Sequence, residues 1–154
     1  MKKYLNIFVA VLLSVFTVSL ASCSKDDDEP DNGKGSKVEL TVNGTKYTFN
    51  QIMANSHDDT YSCFLYTNSD ESLGIMILDW DLTKEGHTFN SSNNDEPAIT
   101  VTWGGSPFAL TGGNIKVDKL DKNSITLSFN DASFKSAYTS SNCVINGTAK
   151  LPLD

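Results

Sequence analysis

The chain has 154 residues, with 12 Lys+Arg against 19 Asp+Glu and 39% hydrophobic residues, which suits one modest domain and argues against two. Every basic residue is a lysine, so the bidentate guanidinium fork usual for phosphate and base recognition is missing. With a net charge of −7, nucleic acid is excluded as an expected partner.

Met1-Lys2-Lys3 forms a short positive region, and 4–21 then runs without a charge through Ile7, Phe8, Val9, Val11, Leu12, Leu13, Val15, Phe16 and Val18. That order is the pattern of a secretory signal peptide. A spanning helix, which needs about 20 apolar residues, is the competing reading, and the residues that follow decide against it. Leu20-Ala21-Ser22-Cys23 sets small residues directly before a cysteine and resembles the lipobox of bacterial lipoproteins. The resemblance implies that Cys23 receives a diacylglyceryl group and becomes the first residue of the mature chain. Residues 1–22 are then a signal peptide whose loss takes two lysines with it, leaving ten lysines, nineteen acids and a net charge of −9. The implied partner is a membrane, held through acyl chains that contribute about 0.8 kcal/mol per buried methylene, without any spanning helix.

Residues 23–36 hold the lipidated cysteine and a linker, Ser24-Lys25-Asp26-Asp27-Asp28-Glu29-Pro30-Asp31-Asn32-Gly33-Lys34-Gly35-Ser36. It has no large apolar residue and five acids against two lysines, so burial cannot offset its ordering entropy and it reads as a self-repelling tether. The acids lack the alternating spacing and distal carboxylate of a calcium loop. An acidic run directly after the lipidated cysteine resembles the export signal of surface-exposed lipoproteins of the Bacteroidetes type. It implies a lipid anchor in the outer membrane with display at the cell surface. The lipobox alone implies only a membrane facing the periplasm or the outside.

From residue 37 to residue 154 the chain reads as a single β domain. Val38, Leu40 and Val42 alternate with Glu39 and Thr41, Asn43-Gly44 intervenes, and Tyr47 and Phe49 alternate with Lys46 and Thr48. Asn-Gly between alternating runs predicts a hairpin, because both turn positions tolerate positive φ. Further strands are predicted over 61–67, 73–80, 98–103, 114–120, 124–129 and 144–151. Turn formers separate them, among them Asn68-Ser69-Asp70, Asn93-Asn94-Asp95, Gly104-Gly105-Ser106-Pro107, Gly112-Gly113 and Asp121-Lys122-Asn123. The run 73–78 is apolar at successive positions and is expected to be central and covered on both faces. Over 132–140, Phe134, Ala137 and Tyr138 fit either a short helical turn or a curled edge strand. The expected fold class is all-β, an antiparallel β-sandwich or flattened barrel of about eight strands.

Cys63 and Cys143 both fall in predicted strands, and an exported chain leaves two alternatives open, a disulfide or two buried thiols. Only two histidines occur, His57 and His87, and neither sits in a His-x-x-x-His, Cys-x-x-Cys or Gly-x-Ser-x-Gly context. No metal, no cofactor and no catalytic residue is therefore expected. Asp79-Trp80-Asp81 is a candidate ligand contact: two acids at i and i+2 of a strand share a face about 7 Å apart, beside an aromatic ring able to cover a sugar. Trp103, after Ile99 and Val101, is expected to be a core residue, or else an aromatic lip where Thr102-Trp103-Gly104-Gly105-Ser106-Pro107 forms the rim of a cavity.

The stretches 38–49, 113–129 and 145–149, at the level of turns and alternation, resemble small β-rich lipoproteins of the same bacterial group. The resemblance carries no catalytic residue. The function expected is non-catalytic binding of a glycan, a small apolar molecule or an envelope partner. A structural module without a ligand pocket is the first alternative, and a carboxylate hydrolase around Asp79 and Asp81 is the second.

Overall fold

The computed structural model describes residues 37–69, 71–91 and 97–153. The signal segment, Cys23, the acidic linker and the Asn93-Asn94-Asp95 turn lie outside the described residues. The strands are β1 (Val38–Val42), β2 (Thr45–Phe49), β3 (Gln51–His57), β4 (Thr60–Tyr66), β5 (Ser72–Leu78), β6 (Thr88–Asn90), β7 (Ala98–Trp103), β8 (Ser106–Leu120), β9 (Ser124–Ser136) and β10 (Asn142–Pro152), with one 3-10 turn at Trp80–Leu82.

The ten strands of the described residues belong to one antiparallel sheet, ordered β2-β1-β10-β9-β8-β7-β5-β4-β3 with β6 alongside β8. The two ends of this path are consecutive in the chain, since Asn50 alone separates Phe49 from Gln51. The Asn50 N–H donates to the Tyr66 carbonyl at 2.9 Å, so one bent run of chain leaves β1 and joins β4. With β2 and β3 taken as that single bent strand and β6 set aside, chain neighbours are sheet neighbours throughout and β1 pairs with β10. The domain is a flattened up-and-down barrel, and its seam is where β3 approaches β10 without pairing.

Alternation produces this wall. Leu40, Val42, Leu73, Ile75, Ile77, Val101, Ile115, Val117, Ile125, Leu127, Ile145 and Leu151 all turn inward and are buried in one apolar cluster that fills the barrel. The expected first hairpin forms, with Asn43 at φ 51 and Gly44 at φ 80, and the Asn43 side chain accepts the Val144 N–H at 2.9 Å, tying the turn to β10.

Two expectations are corrected, one open alternative is decided, and β3 is a strand the sequence did not predict. Gly112-Gly113 is not a turn; it lies inside the 15-residue β8. Gly113 stands at φ +66, and a Cβ there would lie 2.1 Å from the Asp131 carbonyl oxygen. Asp131 is itself at φ 46 and donates its N–H to Asn146 Oδ1 at 2.7 Å, beside the register shift in β10. Neighbouring irregularities thus bend three strands together, and the chain continues as strand through the glycines. Over 132–136 the alternate burial of Ala132, Phe134 and Ser136 extends β9, which decides for the strand alternative, although β9 lies between β8 and β10 rather than at an edge. The strand predicted over 73–80 ends at Leu78, and its outer side carries Gly74 and the half-buried Met76 rather than a second layer. β3 has no counterpart in the predicted strands, because Gln51–His57 is polar apart from Ile52, Met53 and Ala54.

Candidate functional site

Trp103 pairs with Leu73 at the start of β5, whereas Trp80 follows the end of β5. The two tryptophans therefore occupy opposite ends of the barrel, and each is held differently.

Asp79 terminates β5 in the left-handed conformation at φ 53, and Trp80 opens the 3-10 turn. The Trp80 N–H donates to the Asp59 carbonyl at 2.6 Å, which fastens this turn to the one between β3 and β4. The Trp80 ring stacks on Tyr61 with centroids 5.0 Å apart and planes at 29°. The hydroxyl of the buried Tyr61 in turn donates to the Pro152 carbonyl at 2.9 Å. Trp80 is thus a lid on the core, packed against the buried cluster. This corrects the expectation of a strand-borne acid pair: Asp79 and Asp81 lie in a left-handed cap and a 3-10 turn, where the i, i+2 rule of strands does not apply. Burial raises the Asp79 carboxyl above its ordinary value, with Asp59 and Asp81 adding like-charge repulsion. Neither acid lines either of the two surface clefts described below.

At the other end, Trp103 stands half-buried at the last position of β7, edge-on to Tyr47 of β2 at 5.0 Å and 67°. Those two strands are not neighbours in the sheet, so the contact spans the mouth of the barrel. Gly104 and Gly105, at φ +56 and +75, make the two-residue turn into β8, the glycine pair that such hairpins favour. Trp103, Gly104, Gly105, Glu71 and Ser72 line a cleft of about 300 Å³. Glu71 and the two glycines are exposed, and Ser72 is half-buried. Trp103 is thus half-buried at the rim rather than a core residue, and the alternative reading of Thr102-Trp103-Gly104-Gly105-Ser106-Pro107 as an aromatic lip has a concavity beside it. Glu71 and Ser72 had no signal in the sequence, because only the register Leu73 to Trp103 brings them there.

A second cleft of about 330 Å³ lies at the seam, lined by Ile52, Asp121, Asn123, Ser124, Lys150, Leu151 and Pro152. Its carboxylate is occupied by its own turn: Asp121 Oδ1 accepts the N–H groups of Asn123 at 2.9 Å and Ser124 at 2.8 Å. The Asn123 N–H in particular lowers the Asp121 carboxyl below its ordinary value.

His57 Nδ1 lies 2.9 Å from Asp58 in an exposed turn. His87 meets the Phe89 ring at 4.6 Å, and burial, then Lys84, lowers its basicity. Cys63 of β4 and Cys143 of β10 are both buried thiols, and burial pushes Cys143 up to about 11. Among the described residues no group of three or more His, Cys, Asp or Glu side chains could hold a metal ion. Comparison with protein-family models, with curated proteins and with solved structures gives no match.

Proposed function

We propose that the chain is a lipid-anchored, surface-displayed binding protein of the outer membrane, non-catalytic, whose β-barrel takes a neutral glycan at the Trp103 rim. The observation that carries the binding reading is the ring of Trp103, steadied edge-on by Tyr47 beside a cleft with two bare glycines. Sugars offer apolar C–H faces and hydroxyls that both donate and accept. An aromatic ring fixed in advance covers the former at little entropic cost. The Ser72 hydroxyl, the Glu71 carboxylate and the backbone around Gly104 and Gly105 offer partners to the latter. A cleft of about 300 Å³ is at the lower end for small-molecule sites, roughly 300 to 1,000 Å³, and suits one or two sugar rings. Glu71 at its edge disfavours acidic sugars.

The filled interior favours a ligand on the rim over an apolar ligand inside the barrel. Asp79 and Asp81 line neither cleft, which favours binding over the carboxylate-hydrolase alternative. The anchoring half of the proposal rests on Leu20-Ala21-Ser22-Cys23 and the acids after it.

A glycan array probed with the full chain tests the binding. The expected result is retention on neutral glycans, lost in Trp103→Ala and weakened in Glu71→Gln and Ser72→Ala. Equal retention by Trp103→Ala, or binding to acidic glycans alone, counts against the site.

A further inference from the structure

The Trp103 end of the barrel carries a second accessible ring. β9 ends at Ser136, opposite Phe108 of β8, and Trp103 pairs with Ser106, two residues nearer the rim on the same strand. The connection Ala137-Tyr138-Thr139-Ser140-Ser141 that follows Ser136 therefore stands at the Trp103 end. Its own hydrogen bonds fix its shape. The hydroxyl of the buried Ser136 accepts the N–H groups of Tyr138 and Thr139, each at 3.2 Å, and the Ser136 N–H donates to the Ser141 carbonyl at 3.1 Å. The Tyr138 side chain is left 59% exposed. Among the described residues the other large apolar side chains so exposed are Met53 and Leu82, neither of them aromatic. A ring held in water adds little burial to the fold, but on a fixed turn it is a rigid contact surface that costs little entropy to cover.

Only β8 lies between β7 and β9 in the sheet. With strands about 4.8 Å apart, the backbones bearing Trp103 and Tyr138 stand about 10 Å apart across the rim. One pyranose cannot cover both rings at that separation, whereas a short chain of them can. Around Tyr138 the connection has no charge and three hydroxyl side chains, Thr139, Ser140 and Ser141, each able to donate and to accept as sugar hydroxyls require. We propose that the ligand of the rim is a linear neutral oligosaccharide that fills the Trp103 cleft with one end and stacks on Tyr138 with the other. The proposal rests on the glycan reading of the Trp103 rim and adds a length requirement to it. Once one end is bound, the second contact is intramolecular and the two reinforce each other. Affinity therefore rises with chain length until both rings are covered, and then levels.

Calorimetric titration of the full chain, held in micelles of a detergent that contains no sugar, tests the proposal with the di- to hexasaccharides of the maltose, cellobiose, laminaribiose and mannobiose series. The expected result is that the hexasaccharide of at least one series binds roughly threefold to tenfold more tightly than its disaccharide. Tyr138→Ala is expected to bring the hexasaccharide down to the level of the disaccharide and to leave the disaccharide unchanged. Tyr138→Phe, which keeps the ring, retains the dependence on length, and Trp103→Ala loses both ligands. Circular dichroism establishes that each variant is folded; should Tyr138→Ala not fold, Tyr138→Gln replaces it. Affinity that ignores chain length, or a hexasaccharide bound equally by Tyr138→Ala and the wild type, overturns the proposal, and the rim reading survives if Trp103→Ala still abolishes binding. A disaccharide weakened as much as the hexasaccharide by Tyr138→Ala also overturns it, since the ring would then act through the fold. Failure of every series to bind the wild type overturns the proposal and the rim reading together.

Discussion

The Trp80 ring lies 5.0 Å from that of Tyr61 at an interplanar angle of 29°, and through the Tyr61 hydroxyl the stack reaches the Pro152 carbonyl at 2.9 Å. One end of the barrel is closed by this chain of contacts, from the turn after β5 through β4 to the end of β10. Trp80→Ala removes a half-buried ring and an aromatic pair and is expected to cost about 2 to 3 kcal/mol. Tyr61→Phe, losing one hydrogen bond at constant shape, is expected to cost about 1 kcal/mol. Urea unfolding measures both, and an unchanged midpoint in Trp80→Ala would mean that the ring does not cap the core.

Two glycines with positive φ are expected to respond very differently to alanine. At Gly104 (φ +56) a Cβ meets nothing within 4 Å, whereas at Gly113 (φ +66) it meets the Asp131 carbonyl at 2.1 Å. Gly104→Ala is therefore expected to cost about 1 kcal/mol, the conformational strain alone. Gly113→Ala adds a backbone clash, and more than about 3 kcal/mol is expected. Thermal unfolding of the pair checks the order; equal costs would argue against the bulge in β8.

Asp79 binds its proton more tightly in the folded chain than in the unfolded one, because burial first and then Asp59 and Asp81 raise it. Stability is therefore lost as pH rises through the interval between its unfolded and folded values, and that loss persists at neutral pH. Asp79→Asn, which keeps a residue tolerant of the left-handed conformation, is expected to stabilise at pH 7 by a few tenths of a kcal/mol after solvent screening, roughly. The gain should vanish as pH falls below the ordinary carboxylate range. A pH series of urea midpoints measures it, and a variant less stable at pH 7 contradicts the assignment.

Burial moves the Cys143 thiol from 9.0 to about 11, so at neutral pH it is protonated and slow to alkylate. Its contribution to stability is intact below the unfolded value and declines as pH rises past about 9. Iodoacetamide is expected to label Cys63 and Cys143 slowly in the folded chain and both quickly in urea. No labelling in urea without reductant would indicate a disulfide instead.

What could be read ahead of the fold was local. The hairpin at Asn43-Gly44 and the inward sets Ile99 with Val101 and Ile125 with Leu127 follow from period-two alternation and turn chemistry, both confined to a few residues. The glycines at 112 and 113 misled because a bulge and a turn ask for the same backbone freedom, and only Asp131 in the facing strand decides between them. Asp79 and Asp81 misled because the strand stops at Leu78 with its apolar run, two residues short of the predicted end at residue 80. Glu71 and Ser72 were beyond reach, since their place beside Trp103 comes from the pairing of β5 with β7 across thirty residues of chain.

The most direct test of the rim site follows the two indole N–H resonances during a titration of the full chain with neutral hexose oligosaccharides. The account predicts that the Trp103 indole shifts and saturates while that of Trp80, at the far end of the barrel, stays in place. Movement of Trp80 with Trp103 at rest, or stillness of both across the neutral oligosaccharides tried, would contradict it.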